Sequence, residues 1–153
     1  KMKGLALVSF LLFCIDAFSA PKQFTCQVST EEIDLEDFNP CTFTINGQES
    51  CARYVRIHPD QKSVSVEVVH ENFSTDILNP DLVAGQETIS FQLDTSRFEC
   101  SELQATTQDI GHLDIYKSTG EDMWEGNVVF KGKNVPFHAL RLVDCVAESI
   151  VFE

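Results

Sequence analysis

An all-β fold is what this sequence predicts: an antiparallel β-sandwich stapled by disulfides, with a closed β-barrel as the alternative. Three observations predict it. The segments Ser63-Val-Ser-Val-Glu-Val-Val69, Thr88-Ile-Ser-Phe-Gln-Leu-Asp94 and Ile110-Gly-His-Leu-Asp-Ile-Tyr116 alternate apolar with polar residues, the period of a strand with one wet face. Turn residues separate the strand-like segments at Pro59-Asp60-Gln61-Lys62, Asn79-Pro80-Asp81, Ala84-Gly85, Ser118-Thr119-Gly120 and Lys131-Gly132-Lys133-Asn134. No segment carries a long helical stripe; residues 30–38, with Thr30 as a cap, and 100–108 offer at most one short turn each. Many short strands with turns between them are common to sandwiches and barrels.

The elements follow in order. Lys1 and Lys3 precede an apolar run over residues 5–15, broken only by Ser9, and small residues stand at Ala17, Ser19 and Ala20. This is the pattern of a secretory signal over residues 1–19, with residues 20–153 as a single all-β domain. The apolar run is shorter than the roughly 18 residues that a membrane-spanning helix requires. Strands are expected at residues 24–28, 41–45, 51–58, 63–69, 88–94, 110–116, 125–131 and 135–143, with a last one at 150–152. With 12 Phe and 43% hydrophobic residues, the chain has the material for a core and is not a disordered sequence.

Cysteine use fits an oxidising compartment. Cys14 leaves with the signal, and Cys26, Cys41, Cys51, Cys100 and Cys145 remain, an odd number. Asn46-Gly47 lies between two strand-like segments, a hairpin signal. A two-residue loop there sets Thr42 opposite Cys51, whereas a three-residue loop of Ile45, Asn46 and Gly47 sets Cys41 opposite Cys51. The second register is the one expected to permit a Cys41–Cys51 bridge. Cys100 with Cys145 is the preferred second pair, since each closes a strand-like segment. That leaves Cys26 unpaired or joined to a second copy in a homodimer. The competing assignment bridges Cys26 to Cys100 or Cys145 and ties the first strand down.

The formal charge is −13, and signal removal makes the chain more acidic, because Lys1 and Lys3 leave with only Asp16. Such a chain has no electrostatic footprint for nucleic acid and is repelled by an anionic membrane surface. The sequence contains no Gly-x-Ser-x-Gly elbow, Gly-rich phosphate loop, His-Glu-x-x-His or Cys-x-x-Cys. His58, His70, His112 and His138 have no ligand spacing and read as surface or strand-edge residues. His112 and Asp114 stand two apart on one strand face, so they can pair, but a catalytic dyad also requires a nucleophile and a pocket. The acids in Glu31-Glu-Ile-Asp-Leu-Glu-Asp37 and at Glu121, Asp122 and Glu125 do not follow the pattern of a calcium loop and read as solvated. No catalytic residue, cofactor or metal site is therefore expected. Trp124, the single tryptophan, reads as a core anchor at a strand start. Asn72-Phe73-Ser74 is the one acceptor sequon beyond the signal, which would place Asn72 at the surface carrying a glycan.

Two familiar secreted folds lack their signatures. Trp124 is nowhere near the spacing from a first cysteine that immunoglobulin domains show, and the Gly-x-Trp that lipocalins carry near their first strand is missing. The expectation that remains is a secreted, acidic, non-enzymatic interaction module for an extracellular protein or glycan. The alternative is an extracellular carrier of a lipid or other small apolar ligand, motivated by the excess of Phe.

Overall fold

In the computed structural model, the residues described are 23–29, 40–41, 43–45, 48–73, 83–117, 122–131 and 137–148. They form nine strands: β1 (Gln23–Val28), β2 (Phe43–Ile45), β3 (Gln48–Pro59), β4 (Ser63–Phe73), β5 (Val83–Phe98), β6 (Glu102–Thr107), β7 (Gly111–Lys117), β8 (Trp124–Lys131) and β9 (Phe137–Glu148). β3 through β9 pair with their neighbours in chain order, all antiparallel. β1 closes the circuit by pairing with β9 on one edge and β3 on the other, Phe24 standing opposite both Ala147 and Ile57. The result is a closed antiparallel barrel of eight strands, with β2 hairpinned onto β3 outside the ring. This corrects the expected sandwich. Both architectures bury one face of every strand, so alternation alone does not separate them; the double pairing of β1 does.

The alternation turns inward where it was expected to. Val64, Val66 and Val68 of β4 are completely buried, as are Leu103, Ala105, Leu113, Ile115 and Val128. Their neighbours point to solvent; on the outer face of β3 and β4, Arg53 meets Glu71 at 2.8 Å and His58 meets Glu67 at 2.9 Å. Such half-exposed ion pairs add little stability, and the inward apolar face holds the barrel together. Residues 100–108, expected to offer a helical turn, instead contain β6 with Leu103 and Ala105 inward. Ala84-Gly85, expected as a turn, lies inside β5. The expected strand at 150–152, the helical turn at 30–38 and the signal at 1–19 lie outside the described residues.

At the end of the barrel near the β3–β4 turn, Trp124 opens β8 with 3% exposure, its ring 4.7 Å from Phe24. Beside them runs the first disulfide, Cys26–Cys145, which joins β1 to β9 from inside the barrel. Asp144, at a positive φ of 49°, and the register shift between Thr25 and Gln27 mark the bulge that turns Cys145 inward. The pairing preferred from the sequence is thereby corrected: Cys145 takes Cys26, not Cys100. Cys26 is fully buried, so it is not the cysteine through which a second copy could attach; Cys100 is exposed and takes part in neither bridge.

The second disulfide joins Cys41 to Cys51. Its register differs from the one expected to permit it. Ile45 pairs with Gln48 and Phe43 with Ser50, which leaves only Asn46 and Gly47 between the strands. Cys41 precedes β2 in a turn whose Pro40 carbonyl accepts the Ala52 N–H at 2.8 Å, and this return of the chain brings Cys41 to Cys51.

Candidate functional site

The inward face changes character at the opposite end. β4 continues beyond Val68 to His70 and Asn72, and the period of two keeps both inside, opposite Ala52 and Ser50 of β3. On the other side of β4, the register sets Glu87 opposite His70 and Gly85 opposite Asn72. Ser50 and His70 are essentially without exposure, and Asn72 is 8% exposed. His138, near the start of β9, is buried as well. β9 is separated from β4 by β1 and β3, so its histidine approaches from across the lumen.

An aromatic wall adjoins these polar groups. Phe130 of β8 lies 5.7 Å from the His138 ring and stacks on Phe91 of β5 at 5.2 Å and 19°. β6 and β7 stand between β5 and β8 in the sheet, yet the two phenylalanines meet. They can do so because β6 pairs with β5 only from Thr95 to Phe98, its Thr107 hydroxyl reaching on to Asp94, which leaves β5 without a strand on that edge before Asp94, among the described residues. Gly111, opposite Phe130 on β7, adds no side chain to the wall. Ile89 and Phe91 therefore remain partly exposed, although their β4 partners Val68 and Val66 are completely buried. Glu87, one step closer to the rim, is exposed.

Ser50 Oγ and His70 Nδ1 share a hydrogen bond of 3.1 Å. Ser50 has 0% exposure, so this pair is a packed bond inside the barrel. Asn72 Oδ1 is buried with no hydrogen-bond partner among the described residues. A buried amide oxygen in that state costs free energy on the order of 1–3 kcal/mol, which makes it a marker for a missing donor.

Burial lowers the pKa of His70 below its ordinary value of 6.5, with His138 adding to the effect and Glu87 opposing it. Burial alone lowers that of His138. Both rings are thus held neutral where an unfolded chain begins to protonate. The unfolded state binds more protons just below pH 6.5, so stability is complete above that pH and falls as the pH drops through it toward the lowered native values. The melting temperature of the wild type is expected to fall more between pH 7.5 and 5 than that of a His70→Gln/His138→Gln variant. Parallel slopes would show that the two rings do not drive the acid response.

Asn72, expected at the surface, is buried and inward-facing because β4 runs on beyond Val69. His112 and Asp114 share the outer face of β7, where His112 Nδ1 meets Thr106 Oγ1 at 2.6 Å; no hydrogen bond among the described residues joins it to Asp114. His58 pairs with Glu67 outside the barrel. His70 and His138, read as strand-edge residues, are brought together inside it. The acids at 31–37 lie outside the described residues, and among the described residues no three metal-ligating side chains converge. No helix among the described residues is long and apolar enough to cross a membrane. Comparison with protein-family models, with curated proteins and with solved structures found no match to this chain in any of the three.

Proposed function

We propose that this protein is an extracellular carrier of a small, largely apolar ligand, seated at the end of the barrel where β5 lacks a neighbour. The observation that carries the reading is the contrast along one pair of strands: Val66 and Val68 are sealed, while Phe91 and Ile89 opposite them keep part of their surface open. Eight-stranded closed barrels have interiors that side chains fill or that hold one small ligand. Here side chains fill one end, around Trp124 and Phe24, and an aromatic wall with a few convergent polar groups lines the other. That combination is the ordinary make-up of a ligand site. Two disulfides in so short a chain suit an oxidising, extracellular setting.

The interaction-module reading draws on a different observation. Tyr116, Met123 and Val146 are 44–47% exposed on β7 and beside the β8–β9 pairing at Trp124 and Cys145. They offer a small apolar surface to a protein partner.

Organic extraction of the purified, oxidised protein followed by mass spectrometry tests for a carried ligand, and titration with the apolar fluorophore N-phenyl-1-naphthylamine tests for its site. Saturable binding of one probe per chain is expected, weakened about tenfold by Phe91→Ala and unchanged by Met123→Ser. An empty extract together with no saturable probe binding would remove the carrier reading and leave the interaction module.

A further inference from the structure

Among the polar groups at this end of the barrel, the one formal charge is negative. Among the described residues, the inward positions there are Ser50, His70, Asn72, Glu87 and His138, with no lysine or arginine. Glu87 is a carboxylate facing into the rim, directly across the strand pair from His70. Asn72 Oδ1 is a buried acceptor that no described group satisfies, on a residue more than nine-tenths buried. A carboxylate ligand would meet like charge at Glu87 and a net charge of −13 beyond it. A neutral ligand would leave Glu87 unused.

We propose that the ligand is an amine, a protonated ammonium on an apolar or aromatic body, and this inference rests on the carrier reading above. An ammonium carries donors and no acceptor, which is the complement of Asn72 Oδ1 and the Glu87 carboxylate. Removing it from water is costly unless an opposite charge goes with it, and Glu87 supplies that charge at the entrance. The faces of Phe91 and Phe130 supply both the apolar contact for the body and a quadrupole attractive to a cation. The acidity of the whole chain raises the local concentration of cations and excludes anions. Metal binding fits less well, because His70, His138 and Glu87 do not converge as a ligand set.

Competition against N-phenyl-1-naphthylamine at pH 7.4 tests the inference with matched compounds that differ only in the end group. Phenethylamine, phenylethanol and 3-phenylpropionate form one series, and n-octylamine, n-octanol and n-octanoate the other. In at least one series the amine is expected to displace the probe at a concentration about tenfold below that of the alcohol, with the carboxylate weakest. Glu87→Gln, an exposed and conservative change, is expected to erase the amine preference, and Met123→Ser, at the other end of the barrel, to keep it. If the probe binds but in both series alcohol or carboxylate competes as well as the amine, if Glu87→Gln keeps the preference, or if none of the six displaces the probe, the amine inference falls and the carrier reading stands. If the probe itself does not bind, the carrier reading falls and the inference with it.

Discussion

Removing the Cys26–Cys145 bridge is expected to cost about 5 kcal/mol, against about 3 kcal/mol for Cys41–Cys51, each measured by urea unfolding of the double-alanine variant with the other bridge intact. The difference follows from loop length. One bridge joins residues 119 apart in sequence and the other residues 10 apart, and the entropy that a cross-link removes from the unfolded chain grows with the logarithm of that separation. Two further effects act in the same direction. Cys26 and Cys145 are fully buried, so alanine also leaves a void, whereas Cys41 is exposed. The first bridge also fastens β1, the strand that closes the ring. For a domain at the lower end of the ordinary range of about 5–15 kcal/mol, the loss leaves a barrel on the edge of unfolding. Equal costs for the two variants would mean that β1 is secured by its strand pairing alone.

That same bridge shows where sequence reading stops. Local periodicity reached eight of the nine strands, because alternation is written into neighbouring residues: Ser63-Val-Ser-Val-Glu-Val-Val69 could scarcely do anything but bury Val64, Val66 and Val68. β6 is not legible in this way because Glu, Leu, Gln and Ala in Glu102–Thr107 are good helix formers, and two apolar residues, Leu103 and Ala105, are too few to establish a period. Closure could not be read at all. Whether β1 lies against β3, β9 or both depends on contacts between the two ends of the chain, and no local pattern encodes them. The partner of Cys26 is the same problem in another form. The Cys41–Cys51 hairpin is local and was legible, although its two-residue loop was not the register preferred.

The candidate site was legible in part. His70 and Asn72 continue the even-numbered series of Val64, Val66 and Val68, so carrying the period two steps farther would have turned both inward. The sequon at Asn72 points to the surface instead. His138 follows the same logic on β9, in step with the buried Leu140 and Leu142. What one strand could not reveal is that these residues share a lumen with Glu87 and Phe91, since that depends on the strand order around the ring. The opening beside Phe91 depends on where β6 stops pairing with β5, which is again a property of the sheet and not of any segment.

Gly126→Ala is expected to destabilise the barrel by about 3 kcal/mol or more, although it adds a single methyl group. Gly126 stands opposite Ile115, where β8 approaches β7, and at the register shift between β8 and β9. A Cβ built there meets the carbonyl oxygen of Asp114, with Ile115 Cα at 2.8 Å and the Asp114 carbonyl carbon at 2.9 Å. All three are backbone atoms of a strand paired on both edges, so no side-chain rotation relieves the overlap; the two strands must separate or the register must slip. Slippage by one residue would turn Val128 and Phe130 outward, which a closed barrel cannot accept. Gly85→Ala is the internal comparison. Its Cβ meets only Asn72 Nδ2, at 3.9 Å, an ordinary contact, and replacing glycine narrows the unfolded ensemble. That variant should unfold within about 1 kcal/mol of the wild type, on the stable side. If Gly126→Ala matched it, the close approach of β7 and β8 would have to be looser in solution than the pairing of Gly126 with Ile115 describes.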